Sequence, residues 1–219
     1  MVGFLGRVKM NKYEIIDISM PITENIPVYK GKKEKKPIFI LESDFETGSI
    51  YESRISINLH TGTHLDSQHH MMSEGGFIGT VRLEDLLTRC QVIDCTEVIG
   101  AVTKDTLMKK EIEEGIFLLL KTRNSLEEIL EGDFIYLDAG GAAYLAEKKV
   151  IGVGTDGLGI ERAQPGHETH LTLMKQGIHI LEGLRLAHVQ EGEYILSAFP
   201  IHIPGAEGSP VRAVLLKEK

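Results

Sequence analysis

Cysteine is nearly absent, two in 219 residues, which excludes a disulfide scaffold and any four-cysteine zinc module. Cys90 and Cys95, five residues apart on a strand-like run, face opposite sides and read as two packed thiols, neither bridged nor ligating. A basic excess is missing too. Twenty-four Lys and Arg stand against thirty-two Asp and Glu, a net charge of −8, which disfavours nucleic acid or an anionic membrane surface as partner. The one basic cluster, Lys30 to Lys36 with Glu34 interrupting it, reads as a solvated loop. No apolar run approaches the roughly 20 residues of a membrane span. Met1 to Lys12 carries Arg7 and Lys9 after a very short apolar patch, without the apolar core or cleavage pattern of a secretion signal, so the expected location is the cytoplasm. No proline-rich or Ser/Gly-rich linker divides the chain, and residues 13–219 are expected to form one domain behind a short extension, 1–12.

What is present is a succession of short strands. Runs rich in β-branched and aromatic residues lie at 13–19, 38–41, 50–59, 91–95, 117–121, 134–138, 150–153, 178–184, 194–199 and 211–217. Helical segments are expected at 83–87, 103–113, 125–130 with Ser125 and Glu128 as a capping box, 142–148, and 167–176 closed by Gly177. Strands dominate the first third and alternate with helices in the middle, so the chain reads as a mixed α/β domain without repeats.

The richest chemistry sits in residues 58–70, where four imidazoles and one carboxylate occur within thirteen residues. Histidine nitrogen and aspartate oxygen suit a borderline divalent ion such as Zn²⁺ or Mn²⁺, and the lack of nearby cysteine points to an open site that does chemistry. His60, His64, Asp66 and His70 share one parity, but ten residues of extended chain span about 33 Å, so the backbone has to turn within the motif. Gly62 is the natural pivot. This places the ligands on a strand end and the turn after it, with His60, His64 and Asp66 as ligands. His70 is either a further ligand or an acid/base group, since an imidazole near its ordinary pKa of about 6.5 suits proton transfer. His69, on the opposite parity, reads as an ordinary histidine.

Three ligands in one loop rarely enclose an ion, and two distant segments offer more. His167 and His170 lie three apart at the start of a helical segment. Glu182 sits in an apolar strand, where an unpaired charge costs several kcal/mol, so it needs a cation or an escape to solvent.

Residues 60–70 resemble the signature His-x-Gly-Thr-His-x-Asp-x-Pro-x-His of the cyclase-like metal hydrolases, which include bacterial kynurenine formamidases, with Gln68 in place of the proline. Residues 17–22 are similar to the family's opening segment, 118–122 to a core strand and 180–183 to its closing motif. The resemblance implies a swivelling β/β/α barrel-like domain with mixed sheets, usually a homodimer or higher homo-oligomer. It implies that His60, His64 and Asp66 hold one ion, that Asp66 and Glu182 bridge to a second held also by His170, and that His70 is the general acid/base. His170 and not His167 has the family's twelve-residue spacing to the glutamate. Two departures stand out: Tyr29 follows the first proline motif where kynurenine formamidases carry tryptophan, which this chain lacks altogether, and Gly154 stands where relatives tend to have aspartate.

The expected activity is hydrolysis of a small-molecule amide, kynurenine-formamidase-like and hence of tryptophan catabolism, with cyclic amides as the alternative within the family. Zinc lowers the pKa of its bound water to about 7, and a histidine then carries the proton to the leaving nitrogen. Rivals find less support. Residues 152–157 spell Gly-x-Gly-x-x-Gly, but Gly159 and Pro165-Gly166 leave no helix to receive a dinucleotide phosphate. The histidines of His167-Glu168-Thr169-His170 lie three apart where the zincin motif needs four. A metal-binding protein without turnover is the third reading, and it has no need of His70.

Overall fold

The structure, a computed structural model, describes residues 12–219; the expected N-terminal extension, 1–12, lies outside the described residues apart from Lys12. In chain order the first half gives β1 (Tyr13–Asp17), β2 (Ile38–Ser43), β3 (Glu52–Ser56), β4 (His64–Asp66) and β5 (Leu87–Asp94). Then follow β6 (Ala101–Val102), helix α1 (Lys104–Leu107), β7 (Phe117–Lys121), β8 (Tyr136–Leu137), helix α2 (Ala139–Glu147) and β9 (Gly152–Thr155). Helix α3 (Glu168–Lys175), β10 (His179–Glu182), β11 (Gly192–Ser197), β12 (Gly208–Pro210) and β13 (Val214–Glu218) complete the order. The mixed α/β class expected from the sequence is what forms.

Nine strands make one sheet, in the order β1-β13-β11-β5-β7-β9-β10-β4-β12. Its centre, β5-β7-β9-β10, is parallel, and both flanks are antiparallel. Strands β12 and β13 lie towards opposite margins, yet only residues 211–213 separate them. From Pro210 to Val214 is four residue steps, a reach of about 14 Å at most, so the sheet curls into a half-barrel whose margins approach each other. The connector ties both margins: Val211 N–H donates to the Thr63 carbonyl and Ala213 accepts from Ile18 N–H, each at 3.0 Å.

Strand β7 explains why the centre is parallel. Its Phe117-Leu118-Leu119-Leu120 run has no polar alternation, as a strand covered on both faces requires. Phe117 and Leu119 face the inside of the curl with Leu65, Leu181, Leu196 and Leu215. Leu118 and Leu120 face Leu107 of α1, Leu145 of α2 and Leu173 of α3. Cys90 joins the first layer and Cys95 the second, both free and buried, as their spacing implied.

Several elements differ from expectation for identifiable reasons. The helix expected over 103–113 stops at Leu107, because Ile112 is drawn into the core and the Glu111 carbonyl accepts from Gln91 Nε2 at 2.7 Å. Ser125 does not cap a helix: its hydroxyl donates to Asp156 Oδ2 at 2.7 Å and accepts from Leu186 N–H at 2.8 Å, leaving a 3-10 turn over Arg123–Ser125. The helix expected at 83–87 is likewise one 3-10 turn, Leu83–Asp85, because the chain enters β5 at Leu87. The long strand 50–59 shortens to β3, which pairs only with β2 in a ribbon whose Phe39, Leu41, Phe45, Ile50 and Tyr51 are exposed. The glycines of 152–157 are sheet packing rather than a phosphate loop. A Cβ on Gly154 would sit 2.5 Å from Leu119 and 2.8 Å from Leu184, and after these glycines the next helix is α3, which begins only at Glu168. An aspartate at 154 has no room. Among the described residues no helix is long and apolar enough to cross a membrane.

Candidate metal centre

The turn and strand of the histidine motif come in the reverse of the expected order. Strand β3 ends at Ser56, the chain turns through residues 57–63, and His64 and Asp66 then lie on β4 itself. Gly62 is the pivot, at φ +66°. Its turn packs so closely on the end of β10 that a Cβ on Gly183, itself at φ +71°, would run into the Gly62 carbonyl oxygen. Thr63 fastens the junction: its hydroxyl donates to Gly183 O and accepts from Met20 N–H, both at 2.7 Å.

Strand parity then sorts the side chains. Leu65 enters the core while His64 and Asp66 emerge on the opposite face, and the β4–β10 register sets Glu182 directly across from His64. His64 Nδ1–H donates to Gly62 O at 2.9 Å, which fixes the tautomer and leaves Nε2 as a lone-pair donor. That Nε2 lies 3.5 Å from Asp66 Oδ1 and 3.3 Å from Glu182 Oε2.

A second set mirrors the first. His170, on α3, donates from Nδ1 to Glu161 Oε1 at 2.7 Å, and its Nε2 lies 3.6 Å from Asp66 Oδ2 and 3.5 Å from Glu182 Oε1. Each carboxylate thus gives one oxygen to the His64 side and the other to the His170 side. Ligand atoms about 2.1 Å from an ion at tetrahedral angles are about 3.4 Å apart, and the four histidine–carboxylate separations here, 3.3–3.6 Å, match that spacing. His60 joins the first: a ligand atom of each of His60, His64 and Asp66 lies within 4.8 Å of the others. The structure therefore brings together all five residues named as ligands from the sequence.

Electrostatics support the fit. Burial alone pulls the His64 imidazole down, but the facing Glu182 and Asp66 carboxylates outweigh it and push it up to about 9. The same contest, with Asp66, Glu161 and Glu182 against burial, drives His170 up to about 12. Burial raises Asp66 and Glu182, and the imidazoles facing them pull both below the usual carboxylate range. Two buried carboxylates demand positive charge, which protons on imidazole or divalent ions can supply. Divalent ions would also use the atoms left over: His60 Nε2, His64 Nε2 and Asp66 Oδ2 are buried without a hydrogen-bond partner among the described residues. Glu207 lies 3.3 Å from His60 Nε2 but out of line for a hydrogen bond.

A family model described as "Putative cyclase" matches residues 16–162. The chain belongs to the cyclase family. A kynurenine formamidase of Bacillus cereus is 33% identical over 216 residues, aligning 94% of this chain and 99% of that protein. A solved structure described as a potential metal-dependent hydrolase with cyclase activity is 42% identical, with a TM-score of 0.87 over 94% of this chain and 99% of that one. Isatin hydrolase A from Labrenzia aggregata shares the fold, with a TM-score of 0.84 at 21% identity over 95% of each chain. The family match ends before His170 and Glu182, which the register of β10 and the placement of α3 bring to the centre.

The cyclase-family centre opens into a cleft of about 180 Å³ lined by Tyr29, His60, His70, Leu158, His170 and Glu182 among others. His70 stands on the 3-10 turn Gln68–His70 with its ring 4.1 Å from that of His60 and 5.9 Å from that of His170. Burial lowers its pKa, so it is neutral at pH 7. His69 turns away, packing on Phe77 with ring centroids 3.9 Å apart. Gln68, standing where the family has proline, stiffens the turn through its amide, which donates to the Met174 carbonyl at 2.9 Å and ties the motif to α3. His167 is exposed and bonds Glu161 Oε1 at 2.9 Å, away from Asp66 and Glu182. The residue missed from the sequence is Glu161. It receives His170 Nδ1 at 2.7 Å, His167 Nδ1 at 2.9 Å, Thr169 N–H at 3.0 Å and Gln164 Nε2 at 3.1 Å. Its only sequence signal was an acidic side chain just upstream of the His167–His170 pair.

Proposed function

We propose that this protein cleaves the carbon–nitrogen bond of an N-formyl aryl amine, as its kynurenine formamidase relatives are named for doing, with two divalent ions, Zn²⁺ or Mn²⁺, per chain. That it is a metal-dependent amide hydrolase acting on a small molecule follows from its family. The finer reading rests on one observation: Asp66 and Glu182 each divide their two oxygens between the His64 and His170 sides at 3.3–3.6 Å.

In this reading His60, His64 and Asp66 hold one ion, and Asp66, Glu182 and His170 hold the other. Such ions supply a Lewis acid for the carbonyl oxygen and an acidified water at neutral pH. The chain's own residues do the rest. Glu161 holds His170 in the tautomer that points Nε2 into the centre. Neutral His70, with a ring nitrogen within 4.8 Å of donor atoms on Asp66 and His170, takes the proton that water sheds as its oxygen bonds the formyl carbon. It returns that proton to the leaving nitrogen as the C–N bond breaks, giving formate and the free aryl amine. Tyr29, Leu158 and Met71 give the cleft apolar walls for the aryl ring. A second copy of the chain covering the exposed apolar β2–β3 ribbon would make the homodimer that family resemblance implies.

The test is to strip the protein with a chelator, reload it with Zn²⁺ or Mn²⁺, count ions per chain, and assay N-formylkynurenine, formanilide and cyclic amides. Two ions per chain and chelator-reversible release of formate are expected. Ring opening without formate release would replace this substrate with a cyclic amide, and tightly bound metal with no turnover on any amide would refute the reading.

A further inference from the structure

The Lys30–Lys36 run is not wholly the solvated loop that the sequence suggested. It folds into two 3-10 turns, Tyr29–Gly31 and Lys33–Lys35, and the second brings Lys35 onto the wall of the metal cleft. The loop is held from below, where Val28 N–H donates to Glu131 Oε1 at 3.1 Å, and within itself, where Lys35 N–H donates to Lys32 O at 2.9 Å. Lys35 is half-buried, its ammonium 6.0 Å from the centre of the Tyr29 ring. No carboxylate among the described residues pairs with it, although the chain as a whole is acidic and half-buried Lys110, Lys121, Arg123 and Arg162 each have a carboxylate partner. The two acids that line the same cleft are already engaged: Glu161 by His167 and His170, and Glu182 by Ile160 N–H, His64 and His170.

Resting on the amide-hydrolase reading, we propose that Lys35 and Tyr29 form a substrate-reading subsite, Tyr29 flanking the aryl ring and Lys35 binding a carboxylate carried by that ring. The favoured substrate is then an anionic aryl amide. A half-exposed ammonium contacting a carboxylate supplies one charge-assisted hydrogen bond, worth about tenfold in affinity or kcat/KM. Apart from the metal centre itself, Lys35 is the cation that a substrate meets on the cleft wall, where no other lysine or arginine lies. Lys32, exposed and off the cleft wall, shares the long-range field but not the contact.

The experiment uses the metal-loaded full chain and two substrates that differ by one ring carboxylate, N-formylanthranilate and formanilide. The ratio of their kcat/KM values is measured for the native protein, Lys35→Gln, Lys35→Glu and Lys32→Gln. Titration calorimetry with the corresponding products, anthranilate and aniline, reads the same subsite without turnover. Lys35→Gln is expected to lower the ratio and the affinity for anthranilate about tenfold, Lys35→Glu further, and Lys32→Gln less than twofold, with aniline and formanilide unchanged. An unchanged ratio and unchanged anthranilate binding in Lys35→Gln would overturn the subsite while leaving amide hydrolysis standing. Equal losses in Lys32→Gln would also overturn it, reducing the effect to general field. If the native protein turns over neither of these two amides, anthranilate binding alone decides the role of Lys35.

Discussion

On the 60–66 flank of the centre, His60 Nε2, His64 Nε2 and Asp66 Oδ2 are buried without hydrogen-bond partners, whereas on the 161–182 flank Glu182 accepts from Ile160 N–H at 2.5 Å and His170 is tethered to Glu161. The first flank is a bent loop and a three-residue strand that leave donor atoms free for an ion. The second is a strand end and a helix whose ligands are braced from behind. A free donor atom is costly when buried without a cation, and a braced one is costly only when its brace is removed. Metal affinity should therefore depend on ligand identity at 60–66 and on supporting residues at 161–182.

The strongest test of that contrast is Asp66→Asn, which removes one of the two anions shared between the His64 and His170 sides. It should lower metal affinity by more than about 100-fold and abolish chelator-reversible activity, measured by metal analysis after dialysis and by formate release. An asparagine variant that retained two ions would show that Asp66 does not bridge. His70→Ala is next: metal content stays at the native level, and turnover falls about 10²–10⁴-fold, the range of general acid–base catalysis. An unchanged rate would remove His70 from the proton path.

Glu161→Gln isolates the brace. It should weaken metal binding about 10–100-fold while the fold, followed by circular dichroism, is retained. If affinity were untouched, the two flanks would not differ in the way described. Gly183→Ala probes the contact between the flanks, because the added methyl meets the Gly62 carbonyl and a positive φ is lost to strain. A loss of about 1–3 kcal/mol in chemical denaturation is expected. The mildest is Gln68→Ala, which deletes the hydrogen bond to Met174 O and should cost about 0.5–1.5 kcal/mol with the metal retained.

Legibility in the sequence followed locality. His60, His64 and Asp66 were readable because residue type, spacing and Gly62 lie within seven residues, and the β7 run announced its double burial without outside help. The order of turn and strand was not readable, since residues 57–63 differ from a strand end only once Gly183 packs against Gly62. Ser125 and Glu128 have the spacing of a capping box, but Asp156, thirty-one residues away, takes the serine hydroxyl. Glu161 carries no motif of its own, so its four hydrogen bonds appear only when α3 is in place. Lys35 looked like one of several solvated lysines until the 3-10 turns set it on the cleft wall.

By itself the sequence determined the donor set of the motif, the alternation of strands and helices, and the chemistry that imidazole and carboxylate in such proximity favour. Tertiary structure decided which distant groups complete the centre. Strand register put Glu182 opposite His64, and the docking of α3 on the sheet brought His170 to Asp66. The reason is physical: residue type and local spacing travel with the chain, but a distance between residues a hundred positions apart exists only once hydrophobic packing and sheet register have fixed the backbone.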